Sequence, residues 1–254
     1  MDLGLRDRVY VLAGASRGLG LAVAEVLVAE QARVVLTGRD AGAVRDAVAR
    51  LGGPAAATGI DADNADPATG PRAVQAAREA YGRVDGALVS GPSPRPGHLA
   101  DVSAQDWRDG FESVFLGALG IARAVAGATG PGGSVLFVLS TTARAPMARL
   151  AISSGLRPGL AMAAKLLADE VGPAGVRVNS VLPGRVSTDS LREMDELTGG
   201  PGTSEPGRAR DAAVLGRDSS PAELARLAAF VLSPAASSLT GTNIVMDGGA
   251  LRVP

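Results

Sequence analysis

Residues 13–20 read Ala-Gly-Ala-Ser-Arg-Gly-Leu-Gly, run directly into LAVAEVLVAE at 21–30, and follow the apolar run RVYVLAG at 8–14. Strand, glycine turn and helix in that order suit a pyrophosphate. The glycines let the backbone turn tightly and come close, and the helix N-terminus offers unpaired N–H groups and the positive end of its dipole. The spacing Gly14-x-x-x-Gly18-x-Gly20 differs from the commoner dinucleotide fingerprint. The cluster carries weight because of where it sits, between a strand and a helix at the start of an alternating chain.

That alternation continues to the C-terminus. β-Branched or apolar runs at 8–14, 33–37, 55–61, 84–90, 134–140, 176–182 and 243–246 predict strands. Segments of helical period at about 19–30, 41–51, 68–80, 103–128, 153–172 and 221–232 lie between them, each long enough for a right-handed crossover. The pattern predicts one α/β domain over 1–254, a doubly wound seven-stranded parallel sheet of Rossmann type with helices on both faces.

Composition narrows the function classes. A net charge of -1 argues against nucleic acid, which demands a clear excess of Lys and Arg. With no cysteine and one histidine, His98, neither thiolate chemistry nor a cysteine or histidine metal cluster is available, so no metal is expected. No apolar run reaches the roughly 18–20 residues of a membrane span, and the charged stretch 1–8 lacks the core of a signal peptide. The reading is cytoplasmic, with no membrane partner.

Two stretches fall outside the alternation: GPSPRPG at 91–97, after the fourth strand, and GGPGTSEPG at 199–207, inside a long insertion after the sixth. Ligands of open α/β sheets bind outside the carboxyl ends of the strands, so both belong where substrate would enter. The insertion, at about 187–217, reads either as a substrate lid or as a plain surface loop.

GASRGLG at 14–20 resembles the short-chain dehydrogenase/reductase family, and the similarity extends through YGRVDGALVS at 81–90, GVRVNSVLPGRVST at 175–188 and LTGTNIVMDGG at 239–249. The resemblance implies a nicotinamide dinucleotide held by Gly14, Ser16, Arg17, Gly18, Leu19 and Gly20. It assigns an adenine contact to Asp61 and further cofactor contacts to Ser90 and Gly91. Pro183 and Gly184 then lead to Val186 and Thr188 at the nicotinamide carboxamide. The choice of dinucleotide follows from charge. A free ribose 2′-hydroxyl is usually met by a carboxylate at the end of the second strand, whereas a 2′-phosphate needs cations. That strand ends Thr37-Gly38-Arg39, and Arg17 sits in the glycine loop, so NADP(H) is favoured over NAD(H); in the alternative, Arg39 is a solvated charge and Asp40 meets the ribose.

Members of the family that reduce carbonyls or oxidise alcohols generally use Asn, Ser, Tyr and Lys, because hydride transfer makes or consumes an alkoxide that needs a proton partner. The serine matches Ser140. Counting along the chain puts Ser153 at the tyrosine position and Arg157 at the lysine position; the asparagine falls near Val114 or Ser113, and Ser90-Gly91-Pro92-Ser93 replaces the family's Asn-Asn-Ala-Gly. Tyr10 and Tyr81 are misplaced to substitute, and Lys165 is two turns beyond Arg157. Pro158 predicts a helix start or kink at Arg157. Ser153 or Ser154 is also a candidate cap, and His98 a candidate proton donor if its loop folds over the nicotinamide.

The expected activity is hydride transfer between NADP(H) and a carbonyl or alcohol carbon, with Ser140, Ser153 and Arg157 in a non-standard proton relay. The alternatives are a redox-silent dinucleotide-binding protein and a non-redox isomerase, cyclase or dehydratase using the same pocket. Arginines at 144, 149 and 157 hint at an anionic or acyl small-molecule ligand. The resemblance implies that the helices at 103–128 and 153–172 pair into a homodimer or homotetramer.

Overall fold

The computed structural model describes residues 2–197 and 213–252. Seven strands form one sheet, all neighbours parallel, in the order β3-β2-β1-β4-β5-β6-β7. They are β1 (Val9–Ala13), β2 (Arg33–Gly38), β3 (Ala57–Asp61), β4 (Gly86–Ser90), β5 (Ser134–Val138), β6 (Arg177–Pro183) and β7 (Asn243–Met246). The central strands are buried along their whole length, hence continuous apolar runs rather than alternation.

The helices are α1 (Gly18–Ala29), α2 (Ala41–Arg50), α3 (Thr69–Tyr81), α4 (Ala104–Gly110), α5 (Gly117–Ala128), α6 (Ala151–Val171), α7 (Asp189–Leu197) and α8 (Pro221–Leu232). They divide the core into two clusters, one per face of the sheet. One joins Val11, Val89 and Phe137 to α3, α5 and α6; the other joins Leu12, Leu36 and Leu136 to α1 and α8. Chain direction across the sheet reverses between β1 and β4, the switch point at which a crevice opens beyond the strand ends.

The single helix expected over 103–128 is continuous but not uniform. Phe111–Leu116 winds as a π-helix between α4 and α5, and Val114 within it is buried. A π-turn admits one extra residue and shifts the side chains that follow, commonly beside a functional site. Gly117 follows immediately, where a Cβ would lie 2.0 Å from the Asn64 carbonyl oxygen, so the helix can approach the end of β3 only through glycine. By length and hydropathy this run would also cross a bilayer, yet Ile121, Ala122 and Val125 pack into the core beneath the sheet.

Pro158 does not start or visibly divide α6. The helix begins at Ala151 and runs through the proline to Val171. A proline forfeits one i→i−4 hydrogen bond, a local cost that this helix absorbs by burying residues from Ile152 to Ala168. The insertion contributes a helix the sequence pattern did not reveal, α7, while GGPGTSEPG at 199–207 lies outside the described residues.

Candidate active site

The glycine turn is built by close approach. Gly14 has φ +67° and a Cβ there would stand 2.4 Å from the Ser90 carbonyl oxygen; at Gly20 it would meet Ala15 Cα at 2.6 Å. The first contact lets β1 pass into the turn against β4, and the second lets α1 pack on the turn itself. Ala15 N donates to the Thr37 carbonyl at 3.1 Å, fixing the turn to the end of β2. At its N-terminus α1 has Arg17 as the flanking residue, with no side chain capping its first N–H groups. Those donors and the dipole are therefore left for an anion.

Around this turn lies a cleft of about 770 Å³. Of the residues expected at a cofactor, Gly14, Ser16, Arg17, Gly18, Leu19, Arg39, Ser90 and Gly91 line it. Gly20 lies one step behind the lining as a packing residue. Asp61 is exposed and outside it; its carbonyl accepts from Arg72, and the next residues, Ala62 and Asp63, form the wall. Pro183, Gly184, Val186 and Thr188 are also outside the lining. Gly184 packs on Asp247, Val186 is buried beside Ser219, and the Thr188 hydroxyl accepts from Leu191 N at the start of α7.

Arg39 and Asp40 divide their tasks. Asp40 Oδ1 accepts from Gly42 N at 2.8 Å and Ala43 N at 3.1 Å, capping α2, while Arg39 is exposed on the rim of the cleft. Both capping bonds fall on one oxygen of Asp40, which lines the cleft together with Arg17 and Arg39.

Residues 92–96 of the proline-rich loop line the cleft, where the sequence placed that loop; Asn64 and Glu193 of α7, which sequence reasoning missed, line it too. The loop is tied down at its C-terminal end: Arg95 pairs with Asp106 at 3.1 Å, and Gly97 N donates to the Arg149 carbonyl at 2.7 Å. Asn64, buried, donates through Nδ2 to the Ser90 carbonyl at 3.4 Å. The signal for it was available, three residues past Asp61 at a strand's carboxyl end. His98 is exposed and outside the cleft lining, so the loop does not carry it over the site.

One strand over, the three residues expected in catalysis come together with a fourth, Thr142. Ser140 ends the β5 run and caps a short 3₁₀ turn, its Oγ accepting from Thr142 N at 3.2 Å. Thr142 Oγ1 and Ser153 Oγ share a hydrogen bond of 2.9 Å, and Arg157 Nε donates to Ser153 Oγ at 3.1 Å. Arg157 Nη1 donates to the Val138 carbonyl at 3.2 Å. Ser153 therefore takes no cap; Ser154 instead accepts from Met147 N. Arg157 is only 7% exposed, and burial pushes its guanidinium down to about 10, which leaves it protonated at neutral pH. Val138 is the register partner of Ser90, so this cluster adjoins the cleft wall directly. Lys165 is exposed and paired with Asp169, remote from the cluster in role.

Residues 14–250 match the family profile described as enoyl-(acyl carrier protein) reductase. L-rhamnose 1-dehydrogenase (NAD(P)(+)) of Azotobacter vinelandii is 32% identical over 257 residues, spanning 96% of this chain and 97% of its own. Among solved structures, the NADPH-bound short chain oxidoreductase from Pseudomonas aeruginosa PAO1, described as containing an atypical catalytic center, superimposes with a TM-score of 0.88 at 26% identity, covering 98% of both chains. L-sorbose reductase from Gluconobacter frateurii, complexed with NADPH and L-sorbose, gives 0.87 at 27% identity over 100% of both.

Proposed function

This chain belongs to the short-chain dehydrogenase/reductase family, and from that premise we propose that it is an NADP(H)-dependent oxidoreductase that interconverts a carbonyl and an alcohol by hydride transfer. The observation that carries the reading is the cleft itself: two glycines no larger residue can replace, an uncapped helix N-terminus, and Arg17 and Arg39 in its lining beside Asp40, which caps α2. NADPH in two solved relatives supports the choice of dinucleotide.

When bound, the nicotinamide supplies or receives the hydride. Arg17, Arg39 and the first turn of α1 hold its phosphates by charge and backbone N–H groups. Gly91 and the proline-rich loop wall the cleft. Thr142 and Ser153 share a hydroxyl–hydroxyl hydrogen bond where the family has a tyrosine, and Ser140 Oγ accepts from the Thr142 backbone N–H. Arg157 donates to Ser153 Oγ and so leaves that hydroxyl's proton for Thr142 or for a substrate oxygen. As a fixed cation, Arg157 favours negative charge developing on that oxygen, while water or a hydroxyl provides the proton. Loss of the tyrosine is thus met by charge stabilisation rather than by a second tuned acid.

The test is NADPH oxidation by the purified chain across a panel of ketones and aldehydes. Cofactor consumption with stoichiometric alcohol, lowered at least about tenfold in Ser153→Ala, supports the reading. Bound NADPH with no consumption across the panel favours a redox-silent dinucleotide protein. Product formed without consumption favours non-redox chemistry in the same pocket.

The apolar side chains Leu116, at the end of the π-helical turn before α5, and Met162 and Leu166 on α6 stand exposed. We assign to this face the pairing of two copies, as a homodimer or as half of a homotetramer.

A further inference from the structure

Arg157 is a buried cation without a counter-ion. Its side chain is 7% exposed, its two hydrogen-bond acceptors, the Val138 carbonyl and Ser153 Oγ, are neutral, and among the described residues no carboxylate lies within ion-pair distance of it. The nearby buried arginine of the same chain, Arg177, shows a different solution: four backbone carbonyls, from Val231, Leu232, Ser233 and Leu239, gather around its guanidinium. Arg157 has one carbonyl and one hydroxyl, although a guanidinium carries five N–H donors. A protonated group taken out of water this far costs several kcal/mol unless an anion meets it.

The cofactor's phosphates have their own site at the glycine turn, since neither Arg157 nor Ser153 lines that cleft. Arg157 Nη1 donates to the carbonyl of Val138, whose register partner across the sheet is Ser90 of the cleft lining.

We propose that Arg157 is a specificity-determining residue that binds the carboxylate of an oxo-acid or hydroxy-acid substrate. A carboxylate suits the planar fork of the unused guanidinium edge, which can donate two parallel N–H groups to it. The inference rests on the oxidoreductase reading for the word substrate, but the anion site is tested by binding alone.

The chain's single tryptophan is the reporter. Trp107 packs its ring edge where a Cβ on Gly155 would lie, at 2.5 Å, midway between Ser153 and Arg157 on α6. Pyruvate, acetoacetate and levulinate, which place the carboxylate at different distances from the carbonyl, are titrated against their methyl esters with Trp107 fluorescence as the readout. At least one acid binds about tenfold more tightly than its ester, and Arg157→Met abolishes that preference. The melting temperature of Arg157→Met, measured alongside, equals or exceeds that of the parent, because an unpaired buried charge has been replaced by an apolar chain. Equal binding of every acid and its ester, or a preference that survives in Arg157→Met, overturns the proposal. Neither result bears on whether the parent chain binds NADPH or consumes it with uncharged ketones, so a failure here is distinct from a failure of the oxidoreductase reading.

Discussion

Gly14 is held to glycine twice over, by φ +67° and by the Ser90 carbonyl oxygen 2.4 Å from where a Cβ would sit. Gly14→Ala is therefore expected to destabilise the fold by about 1–3 kcal/mol in urea titration and to lose NADPH affinity, because the turn must shift away from β4. The need for glycine at 14 and 20 was legible in the spacing alone, since both close approaches are between elements adjacent in the chain or in the sheet. The state of Arg157 was not. Its position could be counted, but its burial follows from a side-chain direction toward Val138, and Pro158 one residue on gave a misleading sign of a broken helix. Thr142 was missed for the same reason: only the 3₁₀ turn after Ser140 swings its hydroxyl to within 2.9 Å of Ser153.

At the scale of elements, helix ends decide how the cleft's rear supports are held. Ser220 and Glu223 form a capping box at the start of α8, and Arg217 adds a salt bridge of 2.7 Å to Glu223. The hydrogen bond from Arg217, with those from Ser220, holds the Glu223 carboxyl down at about 2 against an ordinary 4.5. A carboxyl depressed in the folded state stabilises it above the unfolded value, and that stabilisation drains away as pH falls through the folded one. Glu223→Gln should accordingly melt below the parent at neutral pH, with the gap narrowing under pH 4.5 and closing near pH 2. A gap independent of pH would mean that the glutamate acts by packing. The elements themselves were legible because period and punctuation agree over most of the chain. Two were not read: the π-helical turn at Phe111–Leu116, whose sequence keeps ordinary helical period, and α7, whose apolar positions Leu191, Met194 and Leu197 keep helical spacing over only nine residues.

For the whole molecule, the all-parallel sheet follows from strands separated by helices, and the cleft falls at the switch point between β1 and β4 as strand ends in such sheets dictate. Of the residues expected at the cofactor, those of the glycine turn at 14–19 with Arg39, Ser90 and Gly91 line the cleft, while Asp61 stands outside it and the segment 183–188 packs against Asp247, Ser219 and the start of α7. Assembly also belongs to this scale. With Met162 61% and Leu166 63% exposed on α6, sedimentation at micromolar concentration should show a dimer or tetramer, and Met162→Glu combined with Leu166→Glu should yield a folded monomer. A monomeric parent chain would reject the pairing. The account as a whole stands on a working NADP(H) site, so the decisive measurement is a fluorescence titration of the purified chain with NADPH and with NADH, beside an Arg39→Asp variant. It predicts that NADPH binds at least about tenfold more tightly than NADH and that the variant loses this preference. Binding of neither dinucleotide, or a preference for NADPH that Arg39→Asp leaves intact, would contradict it.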